Sequence, residues 1–165
     1  MRRVDREMDR DFALEVVDKC TYGVVSMVMT SGEPYCVPLS IVRVGENIYF
    51  HCALKGDKID GFNNKSRVCI SCVGDVIPSK NQFTTEFSSA IVKGNISLVE
   101  DREESIDALR ALCLRYTPDN MGEFDHAIER SLGITAVYKV SIDEVTGKRK
   151  KFDSDGREMK FGRMK

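Results

Sequence analysis

The sequence predicts a mainly β protein of the α+β class, an antiparallel barrel of six strands with a few peripheral helices packed outside it. Three observations lead to this fold class. Six apolar runs of strand length are joined by short connections rich in turn residues. Few segments show helical spacing of their apolar residues. The chain also lacks the regular strand–helix–strand alternation of a parallel sheet, which favours an antiparallel barrel.

The first half of the predicted barrel follows a helix over about residues 11–20, which Asp9 or Asp11 can cap. The mostly apolar run GVVSMVMT predicts a strand covered on both sides. The run YCVPLSIVRV predicts the next strand. Pro38 places that strand at a sheet edge, a bulge or a strand start, because proline has no N–H to donate. The run IYFHC pairs back after a GEN turn.

The second half begins with a short helix in DKIDGFNNKS and a strand in RVCISCVG. The segment FTTEFSSAIVKGNISLVE predicts a long strand with a bulge at Gly94. Asp101 can cap the clearest helix of the chain, which Pro118 ends, and a further helical stretch covers about residues 121–131. The run GITAVYKVSIDEV predicts the last strand.

Length and composition indicate one domain of a soluble globular class. A chain of 165 residues predicts a barrel domain over residues 1–150 and a loose, polar and basic tail over residues 151–165. The net charge of −1 gives no strong field for nucleic acid or a membrane surface, and the basic run of the tail favours solvation over nucleic-acid contact. No apolar run is long enough to cross a bilayer, and the N-terminus lacks the apolar segment of a secretory signal, so we expect a cytoplasmic protein.

The cysteines and histidines do not predict a metal or disulfide framework. The chain has 6 cysteines, but without an export signal they are expected to be free thiols. Cys69 and Cys72 form a CxxC that falls on a predicted strand, where residues three apart face opposite sides, so a redox or metal role is not favoured. The chain has 2 histidines, His51 and His126, which is too few for a histidine-rich metal site.

The segment HCALKGDK (residues 51–58) carries the strongest functional signal. A strand ends at His51, Gly56 allows the backbone to approach a ligand closely, and Lys58 stands at the start of a short helix. A lysine together with free amides at a helix start favours an anion. The plain alternative is a solvated lysine loop. The anion site is favoured because the loop follows the proline-marked strand end VPLS, whose freed backbone groups would lie beside it.

The same residues carry a resemblance to a known family. The segment VPLSIVRVGENIYFHCALKGDKIDGFNNKSRVCISC resembles the nitroimidazole-resistance (Nim) branch of the pyridoxamine-phosphate-oxidase-like flavin proteins. The segment FSSAIVKGNISLVED resembles a second motif of that branch, and the likeness extends over about residues 2–151. The resemblance implies a Greek-key split β-barrel that binds FMN, or occasionally FAD. It also implies a homodimer with the flavin at the subunit interface.

The resemblance also assigns roles to individual residues. It implies that Lys58 holds the flavin phosphate, that His51 lies near the substrate as the candidate catalytic residue, and that Val37–Ser40 line the flavin ring with their backbone. The plain alternative for His51 is a histidine at a strand end that only packs against the flavin or hydrogen-bonds it. The wider oxidase family has an arginine at the place of Val37, and this departure disfavours vitamin B6 oxidation. The complete set of implied flavin-binding residues is Val37, Pro38, Leu39, Ser40, His51, Cys52, Ala53, Lys55, Gly56 and Lys58, with Phe87, Ser88 and Ser89 contributing across the dimer.

Two functions follow from these expectations. The first is an FMN-dependent, nitroreductase-like oxidoreductase that passes electrons from a nicotinamide or another donor to a small acceptor such as a nitroaromatic or 5-nitroimidazole. The alternative is a non-catalytic carrier or sensor of haem or flavin, in which His51 would be a candidate axial ligand. A stress or interaction protein with a vestigial flavin also remains open. A homodimer is expected, because so small a barrel supplies only half of a flavin pocket.

Overall fold

A computed structural model describes residues 2–64, 67–80 and 82–162. None of the helices in these ranges is long and apolar enough to span a membrane. The helices are α1 (Arg10–Lys19), α2 (Asp57–Asn64), α3 (Arg102–Tyr116) and α4 (Phe124–Ser131), with 3-10 turns at Val4–Arg6, Pro118–Glu123 and Leu132–Ile134. The strands are β1 (Glu7–Met8), β2 (Gly23–Val28), β3 (Pro34–Leu39), β4 (Val42–Val44), β5 (Asn47–Ala53), β6 (Arg67–Pro78), β7 (Thr85–Leu98) and β8 (Thr135–Lys150).

The strands in the described ranges form one antiparallel sheet with the order β3-β2-β6-β7-β8-β5-β4, and β1 pairs with β8. Although β3 and β4 stand at opposite ends of this order, only Ser40 and Ile41 separate them in the chain. The sheet must therefore curl until its two edges meet. This confirms the predicted α+β class and split-barrel architecture.

The prediction of six strands is wrong, because eight are present in the described part of the chain. The predicted strand YCVPLSIVRV divides at Ser40 and Ile41 into β3 and β4, and β1 is a two-residue strand that its sequence does not signal. The division is stabilised by Tyr116 of α3. Its hydroxyl accepts a bond from the N–H of Ile41 (3.1 Å) and donates one to the carbonyl of Ile41 (2.9 Å). Ile41 therefore lies outside the strand pairing, yet its N–H and its carbonyl are both hydrogen-bonded.

Two predictions about single residues in strands are confirmed. Pro38 lies on β3, which is an edge strand of the sheet order. Gly94 lies at a register shift between β7 and β8, the predicted bulge. A β-carbon at Gly94 would lie 2.0 Å from the carbonyl oxygen of Ser141, so only glycine fits at this position.

Two apolar clusters form the core. Inside the barrel, Phe62 of α2 packs against Phe50 and Tyr138, with ring centroids 5.5 and 5.0 Å away, so α2 closes one end of the barrel. Outside the barrel, α3 and α4 cover β5 and β8. The hydroxyl of Tyr49 donates to Glu104 of α3 (2.9 Å) and helps to fix that helix to the barrel wall.

The prediction of a loose tail is wrong for residues 151–162, and residues 163–165 lie outside the described part. The tail folds against the N-terminal segment, where Glu158 pairs with Arg6 (2.5 Å) and Lys160 pairs with Asp5 (2.9 Å). The N–H of Phe161 also donates to the carbonyl of Asp5 (3.1 Å). The basic composition of the tail concealed these long-range ion pairs, because their acidic partners are spread over both termini.

The CxxC pair lies on β6, as predicted. Cys72 is buried inside the barrel and Cys69 is half-buried on the opposite side of the strand. The six cysteines are free thiols in the described ranges, as expected.

Candidate functional site

The end of β5 presents three of the predicted site residues. Cys52 faces the interior and is buried, whereas His51 and Ala53 face outward and are exposed. This follows from the alternation of side chains along a strand. The end of β5 therefore has an apolar inner side and an open outer side.

The loop after β5 turns sharply at Gly56. Its φ of +135° lies in the region that favours glycine, and its carbonyl accepts a bond from the N–H of Ile59 (2.8 Å) at the start of α2. Apart from Gly56 and its two chain neighbours, no atom of the described residues lies within 4 Å of the position that a β-carbon would take at Gly56. The backbone of the loop thus faces open space at the point where α2 begins.

The two lysines of the loop differ in their surroundings. Lys55 is exposed, whereas Lys58, the second residue of α2, is half-buried. The charge of Lys58 is close enough to Cys52 to favour its thiolate, although burial has the larger effect and raises the pKa of Cys52. The ammonium group of Lys58 therefore lies near the mouth of the barrel, with the first turn of α2 beside it.

The predicted ring wall, Val37–Ser40, lies at the end of β3. Val37 and Leu39 face inward and are half-buried, whereas Pro38 and Ser40 face outward and are exposed. The pairing of β4 with β5 begins where Val42 opposes Tyr49, and β4 follows Ser40 and Ile41 directly in the chain. The predicted residues of β5 and of the lysine loop are adjacent in the chain, whereas their proximity to Val37–Ser40 stays a prediction.

His51 stands on the outer rim of this mouth, opposite Val137 of β8. Solvent reaches a large part of its side chain, yet the protein atoms around it displace enough water to lower the pKa of His51. Because the ordinary pKa of histidine is near 6.5, this lowering favours the neutral imidazole at pH 7. It can then donate a hydrogen bond from one nitrogen and accept at the other.

Phe87, Ser88 and Ser89 do not join this site within one chain. They are half-buried on β7, which β2 and β6 separate from β3. Three strand spacings amount to about 14 Å along the sheet. Phe87 and Ser88 instead border a second cavity, of about 470 Å³, between α1 and the ends of β6 and β8.

Two residues beside the end of β5 were not predicted from the sequence. Thr135 opposes Ala53 in the ladder between β5 and β8, and Leu54 follows Ala53 with 52% of its surface exposed. Thr135 comes long after the loop in sequence, and only the pairing of β5 with β8 brings it close. The exposed leucine beside Lys55 was the one local signal available.

Comparisons with known proteins agree with this architecture. A family model described as pyridoxamine 5'-phosphate oxidase matches residues 9–149. A search of curated proteins finds no match. Among solved structures, a candidate 5-nitroimidazole antibiotic resistance protein of Bacteroides thetaiotaomicron is 25% identical, with a TM-score of 0.73 over 87% of this chain and 86% of that chain.

Two further solved structures share the fold at lower identity. The FAD and heme binding protein of Mycobacterium smegmatis is 18% identical, with a TM-score of 0.75 over 96% of this chain and 83% of that one. The flavocytochrome Anf3 of Azotobacter vinelandii is 21% identical, with a TM-score of 0.68 over 95% and 80% of the respective chains.

Proposed function

The chain belongs to the pyridoxamine 5'-phosphate oxidase family, and on that premise we propose that it is a flavin-binding oxidoreductase that reduces a small acceptor. The acceptor class favoured is a nitroaromatic such as a 5-nitroimidazole, in keeping with the resemblance to the nitroimidazole-resistance branch and with the B. thetaiotaomicron structure. The flavin is FMN or FAD, and either has a phosphate at the end of its ribityl chain.

The placement of Lys58 is the observation that supports this proposal most directly. A half-buried lysine in the first turn of α2, beside the glycine turn at Gly56, fits the phosphate of a flavin. Lys55 is exposed and would contribute less, because a solvated charge is screened.

The remaining site residues fit the other parts of a flavin. The end of β3, from Val37 to Ser40, offers an exposed proline and edge backbone groups to the polar side of the ring. Bound flavin would supply the electron-transfer chemistry, while the protein binds and orients it. His51 would stand at the rim, where its neutral imidazole can exchange a hydrogen bond with the ring or with a bound acceptor.

A homodimer completes the site in this proposal. Phe87, Ser88 and Ser89 are too far from β3 to contact the same flavin, but in a symmetric dimer they can reach the flavin of the partner subunit. Sedimentation of the flavin-loaded protein should therefore show a dimer. A monomer that binds flavin tightly would contradict this part of the proposal.

The visible spectrum and a pair of lysine variants test the flavin site. The purified protein should be yellow, or become yellow with added FMN. Lys58→Ala should weaken FMN binding by about 1.5–3 kcal/mol, or roughly 10- to 150-fold, because a charged phosphate contact is lost. The matched variant Lys55→Ala should change the affinity less than about threefold. A protein that stays colourless with FMN, or equal effects of both variants, would refute the proposed site.

Haem binding is the second candidate function, because His51 offers a neutral, exposed imidazole at the mouth of the barrel. Two proteins of similar fold are the FAD and heme binding protein of M. smegmatis and the flavocytochrome of A. vinelandii. Titration with haemin distinguishes the candidates. A sharp Soret shift that His51→Ala abolishes would favour the haem carrier, and an unshifted band would favour the flavin enzyme.

A further inference from the structure

Two buried cysteines, Cys20 and Cys72, lie side by side in the apolar cluster inside the barrel. Cys20 directly follows α1 and is 2% exposed, and Cys72 on β6 is fully buried. The chain returns past Cys72 just after Cys20, because Gly23 of β2 opposes Cys72 in the ladder. The thiol of Cys72 donates a hydrogen bond to the sulfur of Cys20. The partner of Cys72 is therefore Cys20, whereas Cys69 of the CxxC lies on the opposite side of β6.

A guanidinium group from α3 faces the sulfur of Cys20. Nη2 of Arg115 lies 3.9 Å from the Sγ of Cys20 and donates hydrogen bonds to the carbonyls of Cys20 and Val17. Basic side chains commonly bond the last carbonyls of a helix in this way, and here the bonds fix the charge beside the sulfur. A fixed positive charge next to a cysteine favours its thiolate, which is the reactive form.

The hydrogen bond between the two thiols makes them unequal. It is the main cause that lowers the pKa of Cys20 to about 7; burial opposes this change, and the charge of Arg115 adds to it. The same hydrogen bond, followed by burial, raises the pKa of Cys72. Cys20 therefore ionises first, with a protonated thiol beside it. Inert structural cysteines differ, because apolar surroundings alone raise their pKa.

A cavity reaches the chain next to both thiols. The cavity of about 470 Å³ between α1 and the ends of β6 and β8 is lined in part by Lys19 and Thr21, which flank Cys20, and by Val73, which follows Cys72. The wall of the cavity thus lies one residue along the chain from each sulfur. A small neutral reagent can approach the pair through this cavity more readily than a bulky or charged one.

We propose that Cys20 and Cys72 form a thiol-oxidation site whose substrate is a small hydroperoxide. The thiolate of Cys20 attacks the terminal oxygen of the hydroperoxide, the O–O bond breaks, and the other oxygen leaves with a proton as an alcohol, or as water from hydrogen peroxide. Cys20 is then a sulfenic acid. The sulfur of Cys72 attacks the sulfur of Cys20, and the hydroxyl of the sulfenic acid leaves with the proton of Cys72 as water. Two thiols lose two electrons to form one disulfide, and the hydroperoxide takes up both electrons. This site does not depend on the proposed flavin site.

Peptide mapping of the wild-type protein after treatment with hydrogen peroxide tests the site. The reduced protein is oxidised, blocked with an alkylating reagent and digested without reductant. Mass spectrometry should find the Cys20 and Cys72 peptides joined, with two of the 6 thiols lost, and dithiothreitol should restore both. If peroxide modifies the exposed Cys36 while Cys20 and Cys72 can still be alkylated after unfolding, the proposal is overturned. A bridge between Cys69 and Cys72 would overturn it too.

Four variants test the roles of the individual groups. Cys72→Ser should stop the reaction at the sulfenic acid of Cys20, which dimedone labels, and Cys20→Ser should leave Cys72 as a thiol. Arg115→Gln should slow bridge formation about threefold or more, because the thiolate of Cys20 loses its neighbouring charge. Cys36→Ser is the matched control, because this cysteine is exposed on β3, and it should form the bridge at the wild-type rate.

Circular dichroism melting identifies any variant that fails to fold, and the peptide map of the wild-type protein decides the proposal without any variant. A folded Cys72→Ser protein that dimedone does not label at Cys20 would contradict the assignment of Cys20 as the thiol attacked first. A folded Arg115→Gln protein that forms the bridge at the wild-type rate would contradict the activation of Cys20 by the guanidinium group.

Discussion

Replacement of Phe62 by alanine tests whether the ring cluster inside the barrel holds α2, and with it Lys58, in place. Phe62 is 4% exposed and packs against Phe50 and Tyr138. Loss of a buried phenylalanine ring costs about 3–5 kcal/mol. We expect a cost near 3 kcal/mol, because α2 is a short helix at the barrel end that can partly relax into the space. For a chain of this size that corresponds to a fall of about 6–12 °C in Tm.

The same substitution should also weaken flavin binding. Lys58 precedes Phe62 by four residues, so both lie on the same face of α2, and a helix that moves takes the ammonium group with it. Circular dichroism melting measures the first effect, and FMN titration at 20 °C measures the second, which we expect to exceed tenfold in Kd.

Phe83→Ala is the control, because Phe83 is fully exposed and should change neither quantity. A Phe62→Ala variant that melts within 2 °C of the wild type would show that the ring cluster does not hold α2. A variant that melts lower but binds FMN as before would show that α2 does not position the phosphate ligand.

Three further predictions concern the framework of the barrel. Gly94→Ala should destabilise the fold by more than about 3 kcal/mol in urea denaturation, because a β-carbon would lie 2.0 Å from the carbonyl oxygen of Ser141. Gly122→Ala is the control and should cost less than about 1 kcal/mol, because the position of a β-carbon at Gly122 is open. Tyr116→Phe removes the hydroxyl that bonds Ile41 and should cost about 1–3 kcal/mol in the same assay, and a neutral result would mean that water replaces it. Hydrogen bonding from Arg6 and then from Lys160 lowers the pKa of Glu158 from 4.5 to about 2, so its stabilisation of the tail is complete above pH 4.5 and is lost as the pH falls toward 2. Loss of the Glu158 ion pair should cost about 1 kcal/mol after allowance for partial exposure, and the amide NMR shifts of the tail should report it. Glu158→Gln should produce the same shifts at neutral pH. Unchanged shifts in that variant would show that Glu158 does not hold the tail in place.

The features that the sequence predicted well are those with a local physical cause. The side chain of Asp9 accepts a bond from the N–H of Phe12 (2.8 Å) and that of Asp101 accepts one from Glu104 (2.7 Å), so both helix starts were recognisable from capping residues. Pro38 and Gly94 signalled an edge strand and a bulge for equally local reasons, namely a missing donor and a missing β-carbon. The lysine loop is an equally local pattern, and its role as a phosphate site stays a prediction.

The features that were missed depend on contacts between distant segments. The division of one apolar run into β3 and β4 requires the hydroxyl of Tyr116, which lies 75 residues after Ile41. The docking of the tail requires Asp5 and Arg6 at the other end of the chain. Thr135 comes beside the lysine loop only because β8 pairs with β5. Periodicity and turn residues carry no information about such pairings.

The connection between β3 and β4 has a mechanical consequence. In the described part of the chain, no hydrogen-bond ladder joins these two strands, and the barrel closes there through Ser40, Ile41 and the hydroxyl of Tyr116. A movement of β3 away from β4 at this junction would break the hydrogen bonds of the Tyr116 hydroxyl but no pairing between strands. The junction is therefore the least cross-linked part of the barrel wall in the described residues.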